Sequence, residues 1–490
     1  MPRSLHFRQF AASSVLPIQA LPPEMQPVEG LGLQLWVHAA SDWAVSKAGT
    51  DWVFLTGLAF HLEAQLDLKG LADRLLVAEE PLDEIDMWSG WFAVVHSRGG
   101  QVHAYHDAAA GHKVYHRSLP GGGQWLGSDP MLSAHWAELQ PHTDEDKRTL
   151  HASDWWRKRG TMVGDMTPFD GVKQVVANHR FDWNAGVAER VFPRRDRVPM
   201  GADAAIDWLL PRLENVMEQA TRGRQLQLAL TAGWDSRVSL AVSRKVADRI
   251  QCYTYHRPNM PAGSPDLVIP RDMAAEGVQH RVIPEQADFS HPDWSLAQAS
   301  HAVCRFRDFR HMLTQFPEFD SASLVIVSSV SEVTKGYLER IPVHNGLQAV
   351  RAAHLVEHPA VLAHFEQWMA NSQPVVQRHG YRTLDFLHWE QDVTNFAGAS
   401  MQRGNFSVPL FSPFNCTRIL DVMLSTDPAL RDHHAPQFHR MLIERAWPEL
   451  LRYPVNPFPK EKAIRFAKRV GVYHPYKWLD NRLRPRPFKG

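Results

Sequence analysis

Residues Leu226-Gln227-Leu228-Ala229-Leu230-Thr231-Ala232-Gly233-Trp234-Asp235-Ser236-Arg237-Val238-Ser239-Leu240 read as a buried strand, a tight hydroxyl- and glycine-bearing turn, and then a helix. Such a junction aims backbone N–H groups and the positive end of a helix at one spot, which makes it an anion cradle. Thr231 and Ser236 add hydroxyl donors, and Asp235 is placed to hold a magnesium ion. The candidate phosphate-binding run is therefore Leu230, Thr231, Ala232, Gly233, Trp234, Asp235 and Ser236. The same residues also suit an ordinary helix cap, a role in which Asp and Ser are common. Ala232 is the awkward member: it tolerates a positive φ poorly, and its methyl is placed to crowd a bound phosphate.

The flanks favour the cradle. Gln251-Cys252-Tyr253-Thr254-Tyr255 reads as the next strand of a doubly wound sheet. Gly263-Ser264-Pro265-Asp266-Leu267 is a turn and helix start with Pro265 at the first helical position, and Pro270 suits only the first turn of a helix. Gln279–Ile283 reads as a short strand and Leu324–Val327 as a buried parallel one. Ala204–Ala220 has helical spacing through Ile206, Leu209, Leu210, Leu213 and Val216, and Gln348–Trp447 is mostly helical by the same test.

With these segments in order, the chain resembles the asparagine synthetase family. Thr231–Ser236 is similar to the Ser-Gly-Gly-x-Asp-Ser PP-loop of ATP pyrophosphatases, and Gly263–Leu267 to the family's Gly-Ser-Pro-Asp-Leu segment. Ser328-Ser329-Val330-Ser331-Glu332-Val333-Thr334-Lys335-Gly336-Tyr337 resembles a family loop whose aspartate helps to hold ATP and metal. Glu332, Gly336 and Tyr337 match it; Ser331 stands at the aspartate, with Glu332 the alternative ligand one residue away. Pro413–Met423 resembles the family's Pro-Phe-Leu-Asp segment, with Cys416 at the aspartate. The resemblance implies a late catalytic lysine, for which Lys460 is the first candidate and Lys462 the second; either also reads as a solvated lysine of a basic tail. Arg237 is open to anion binding or to an exposed helix face.

The first 200 residues resemble class II glutamine amidotransferase domains. The resemblance is carried by Ser89–Val95 and Val102–Asp107 around a Gly99-Gly100 turn, then Gly111–His116, Leu126–Pro130 and Thr167–Val172. Gly121–Gly123 reads as a hairpin loop. A glutaminase of that class attacks with an N-terminal cysteine, whereas this chain begins Met1-Pro2-Arg3-Ser4 and has cysteines only at 252, 304 and 416. Unless processing exposes another residue such as Ser4 or Ser13, this half is expected to be a scaffold or substrate-binding unit.

The expected fold class is α/β with an α+β N-terminal domain. The resemblance implies that residues 1–195 form an amidotransferase-like β-sandwich and residues 200–490 a doubly wound parallel-sheet domain with a helical C-terminal part. Balanced charge, with 53 basic and 53 acidic residues, argues against a nucleic-acid or membrane-surface role. Prolines at 17, 22 and 23 break any targeting h-region and no long apolar run occurs, so a cytoplasmic protein is expected. The clustered histidines His433, His434 and His439 read as surface residues; Trp155 and Trp156 read as core, with an aromatic or sugar site as the alternative.

The resemblance implies ATP and Mg2+ as cofactors. A small-molecule or peptide carboxylate would be activated as its acyl-adenylate and passed to ammonia or an amine, with a partner glutaminase as one source of the ammonia; a homodimer is left open. The alternatives are a peptide-cyclase or β-lactam-synthetase-like ligase, a PP-loop enzyme with another acceptor, a glutamine-dependent synthetase, and a non-catalytic family member.

Overall fold

A computed structural model of the chain describes residues 6–159, 162–285, 319, 322–338, 341–406 and 408–488. Cys304 and Ser4 lie outside the described residues.

The N-terminal half is built from alternating strands closed by glycine turns. Trp88–Arg98 and Gln101–His106 pair antiparallel across Gly99 and Gly100, both at positive φ, as the two-residue hairpin requires. They belong to a six-stranded antiparallel sheet that also takes in Asp51–His61, Trp43–Ala48, His179–Asp182 and Val187–Arg190. A second six-stranded sheet contains Phe10–Ser13, Gln34–His38, Tyr115–Ser118 and Gln124–Gly127. Side chains of alternate residues meet between them: Phe10, Leu35, Val37 and Leu126 from one sheet pack with Phe54, Ala93, Val95 and Phe181 from the other. The outer face of the first sheet is covered by helix Leu68–Val77, through Leu71 and Leu75. Trp155 and Trp156 fill the apolar cluster over the outer face of the second sheet, so they are core residues.

Beyond residue 200 the periodicity changes and so does the architecture. Helix Ala202–Ala220 buries Ile206, Leu209, Leu213 and Val216 in one apolar cluster that also takes in the strands of a five-stranded, wholly parallel sheet. Its order is His280–Pro284, Ile250–His256, Gln225–Ala229, Ser323–Ile326, Leu410–Phe411. The last of these strands is a two-residue edge inside the stretch expected to be helical. Helix Pro265–Asp272 starts on Pro265 as expected but carries Pro270 beyond its first turn. The fold class is thus α/β, with two antiparallel sheets preceding a doubly wound parallel one. No helix among the described residues is long and apolar enough to cross a membrane.

The two halves share a built joint. Ser89 Oγ donates to the carbonyls of Ser412 and Pro413, and Asn415 Nδ2 donates to Gly90 O and Asp107 Oδ1. The Cys416 thiol donates to Asp86 O at 3.0 Å, and burial pushes its pKa up to about 12. The segment that resembles the family's Pro-Phe-Leu-Asp block therefore serves here as a dock between the halves.

Candidate active site

Strand Gln225–Ala229 sits where the order of the parallel sheet reverses, with Ile250–His256 on one side and Ser323–Ile326 on the other. Loops leaving the carboxyl ends of two strands that diverge in this way frame a crevice. The Thr231–Ser236 turn and the Ser329–Lys335 turn therefore meet, although they lie far apart in sequence.

The first turn is closed on itself. Thr231 N–H donates to Ser236 Oγ at 3.1 Å, Ala232 N–H to Asp266 Oδ1 at 3.0 Å, and Gly233 N–H to Thr231 Oγ1 at 3.3 Å. Gly233 caps helix Trp234–Ala241 at φ −80°, and Ala232 is not among the residues with positive φ, so the alanine imposes no backbone strain. Leu230 belongs to the core: it is fully buried, and its N–H donates to Tyr253 O. Trp234 is half-buried at the first helical position.

Asp235 is the centre of the junction. Lys335 Nζ lies 2.5 Å from its Oδ2, and Ser331 Oγ donates to its Oδ1 at 2.8 Å. Burial pushes this carboxyl upward, but the Lys335 ammonium, with the Ser331 bond, holds it below the usual carboxylate range. Lys335 is itself buried. His439, expected at the surface, is wholly buried beside the pair; burial holds its pKa down to about 3, and neither ring nitrogen has a hydrogen-bond partner among the described residues. Glu332 also faces this group. Burial and then repulsion from Asp235 raise its carboxyl above the ordinary range, with Lys335 opposing.

Magnesium does not fit this donor set. A divalent cation needs carboxylate oxygens turned toward it, whereas the two Asp235 oxygens are taken by an ammonium and a hydroxyl. Lys335 provides the counter-charge that the sequence assigns to the metal. Among the described residues the one three-group set with metal-binding spacing, His103, Asp182 and Glu189, lies on the N-terminal sheets.

Other sequence-predicted residues fall elsewhere. Lys460 and Lys462 are exposed on helix Pro459–Arg469. That segment reaches the turn through Asn456, whose N–H donates to Ala232 O at 2.9 Å. Arg237 neither binds an anion nor faces solvent: it is fully buried and donates to the carbonyls of Leu450, Tyr453 and Pro454. Burial lowers its pKa to about 10. His434 is buried with Nδ1 2.8 Å from Glu461 Oε2. Gly336 stands at φ +59° with Arg431 O 3.1 Å from where a Cβ would stand, a position that favours glycine. Ser13 is buried within a strand paired on both sides, so it is no free nucleophile in this fold. Lys335 and His439 are the residues that sequence reasoning missed. The one available signal was Lys335 itself, three positions after Glu332 in the matched loop.

No protein-family model matches the sequence, and no curated protein does. Among solved structures, the chain has a distant match to glutamine phosphoribosylpyrophosphate (PRPP) amidotransferase from B. subtilis, complexed with ADP and GMP. The identity is 11% and the TM-score 0.20, over 49% of this chain and 48% of that one. The chain thus spans about half the length of that protein, and so remote a likeness carries no argument about chemistry.

Proposed function

We propose that this chain is an ATP-dependent, AMP-forming carbon–nitrogen ligase. The observation that supports it is the meeting of the Thr231–Ser236 turn with Ser331 and Lys335 at the reversal point of the parallel sheet. In this reading a substrate carboxylate attacks the α-phosphorus of ATP and pyrophosphate leaves. An amine or ammonia then attacks the acyl carbon, AMP departs, and the amine proton passes to solvent. Thr231 and Ser236 would bind phosphate oxygens by exchanging their mutual hydrogen bond for the ligand. Lys335 would supply the positive charge that stabilises the departing diphosphate. Lys460 is close enough in sequence to Asn456 to be tested as a second cation. In this reading the nitrogen is taken as ammonia or an amine that binds this chain.

A second reading has its own observation. Three N–H groups of the turn already donate to Ser236, Asp266 and Thr231, and Asp235 is already paired, which is how a retired cradle would look. One experiment separates the two. The full chain is incubated with ATP, a carboxylate panel and amines, with and without magnesium, and AMP is quantified. Acid-dependent AMP that falls by about a hundredfold in Lys335→Met supports the ligase. Absence of both AMP and ATP binding supports the non-catalytic reading and removes the first.

A further inference from the structure

A cavity of about 580 Å3 adjoins the Asp235 junction and shares Glu332 with it. Its opposite wall is an 11-residue π-helical stretch, His388–Gly398. Helices of this kind are rare and concentrate at functional sites. This one is fastened along its length to the N-terminal half. Trp389 Nε1 donates to Ala108 O, Glu390 pairs with Arg190 at 2.6 Å, and Lys113 Nζ donates to Thr394 O. Gly398 lies so close to Ala109 that a Cβ would stand 2.2 Å from its carbonyl oxygen.

The described residues lining the cavity include the carboxylates Glu332 and Asp392 and no lysine or arginine. Of the charged groups that act on Glu332, Asp235 and Asp392 repel its charge while Lys335 and His388 attract it; neither a lysine nor an arginine stands in the described lining itself. His388 is buried in the wall with Nδ1 3.1 Å from Asp392 Oδ2, and its Nε2 has no hydrogen-bond partner among the described residues. In the neutral tautomer whose Nδ1–H is donated to that carboxylate, Nε2 is an acceptor. Tyr337 lies stacked on the His388 ring at 4.5 Å, and Tyr337 and Phe396, both exposed, add aromatic faces. Acceptors, carboxylates and aromatic rings together favour a cation that donates N–H bonds, and they disfavour an anion.

We propose that this cavity binds an organic amine, the nitrogen donor of the proposed ligase, and that the substrate carboxylate binds elsewhere. Its volume is in the range of drug-sized ligands and far beyond what ammonia needs. The role as donor rests on the ligase reading, but binding does not. The test therefore omits ATP. The full chain is titrated calorimetrically at neutral pH with 2-phenylethylamine, 2-phenylethanol and 3-phenylpropionate, three probes of one skeleton and different charge. The amine is expected to bind about tenfold tighter than either partner probe. Asp392→Asn is expected to weaken the amine about fivefold and leave the alcohol unchanged. Equal affinities, preference for the carboxylate, or no binding of any probe overturns the assignment, and the unmodified chain alone decides those outcomes. Amine binding in a chain that makes no AMP would leave this site standing and remove the ligase.

Discussion

Asp107 and Asp235 are both carboxylates set at the mouth of a sheet, yet they are satisfied in opposite ways. Asp107 is fully buried and accepts from Gly111 N–H and His112 N–H at 2.7 Å, Phe92 N–H at 3.3 Å and Asn415 Nδ2 at 2.7 Å. Every donor is neutral and fixed to the backbone or to the dock between the halves. Asp235 is held by an ammonium and a hydroxyl at the ends of side chains. Fixed dipoles make a joint that cannot exchange partners, while a lysine and a serine make one that can. The first arrangement suits assembly and the second suits a ligand that competes for charge.

The comparison breaks most readily at Asp107. Replacing it by Ala would strand three buried N–H groups and the Asn415 amide at once, with an expected loss of about 3–5 kcal/mol in urea unfolding. A loss below about 1 kcal/mol would mean that the loop refills its own acceptors and that the joint is not what holds the halves together.

Each carboxylate also has a buried histidine nearby, and acid should probe both sites together. Burial holds His112, which stacks on Trp91 at 4.0 Å, and His439 at about 3. Between pH 6.5 and 3 the unfolded chain binds a proton at each that the native chain refuses. Stability is therefore complete above about pH 6.5 and falls as pH drops, by about 1.4 kcal/mol per unit for each group. At pH 5 each should cost about 2 kcal/mol, and His439→Leu should remove its own share of the slope. A slope unchanged by that substitution would show that His439 is protonated in the native state.

Much of this arrangement was legible in the chain and some was not, for one physical reason. The strand–turn–helix at 225–241 and the Gly99-Gly100 hairpin are set by local periodicity and turn chemistry, so their residues announce them, whereas the Ser328–Tyr337 segment was marked only by its resemblance to a family loop. The pairing of Asp235 with Lys335 depends on strand 323–326 lying parallel to strand 225–229, a long-range contact that no local pattern encodes. Arg237 and His439 misled because charged and polar types predict exposure, while their burial was decided by carbonyls at 450–454 and by the packing of helix Gln437–Ala446. The π-helical wall has no spacing of its own to read.

The lysine half of the comparison is sharpened by Lys335→Met. It would leave Asp235 buried without its cation, at an expected cost of about 2–3 kcal/mol, less than for a fully enclosed pair because the carboxylate side keeps some solvent access. Burial would then dominate and lift the carboxyl, so the stability that the wild type loses only as pH falls through the depressed pKa of Asp235 should already be lost at higher pH. Adding Asp235→Asn to the same chain should recover most of the loss. If the double variant is as unstable as the single, the lysine is holding something other than Asp235.

The smallest effect belongs to Ser331, and it carries the finest distinction. Its hydroxyl donates to Asp235 at 2.8 Å and also lies 3.0 Å from Ser328 O, so the one proton is shared between a carboxylate and a carbonyl. Ser331→Ala should cost about 1 kcal/mol in unfolding, the usual worth of one such bond near a partly exposed group. Ser331→Asp is the more telling change, because it puts a second carboxylate beside Asp235 and Glu332 and raises the demand for positive charge there. If Asp235 is held in an exchangeable pair, that variant should gain stabilisation by magnesium that the wild type lacks, seen as a rise in melting temperature on adding the ion. If the pair is as fixed as the Asp107 joint, the variant should be destabilised whether or not magnesium is present. The two carboxylates would then differ in their partners but not in kind.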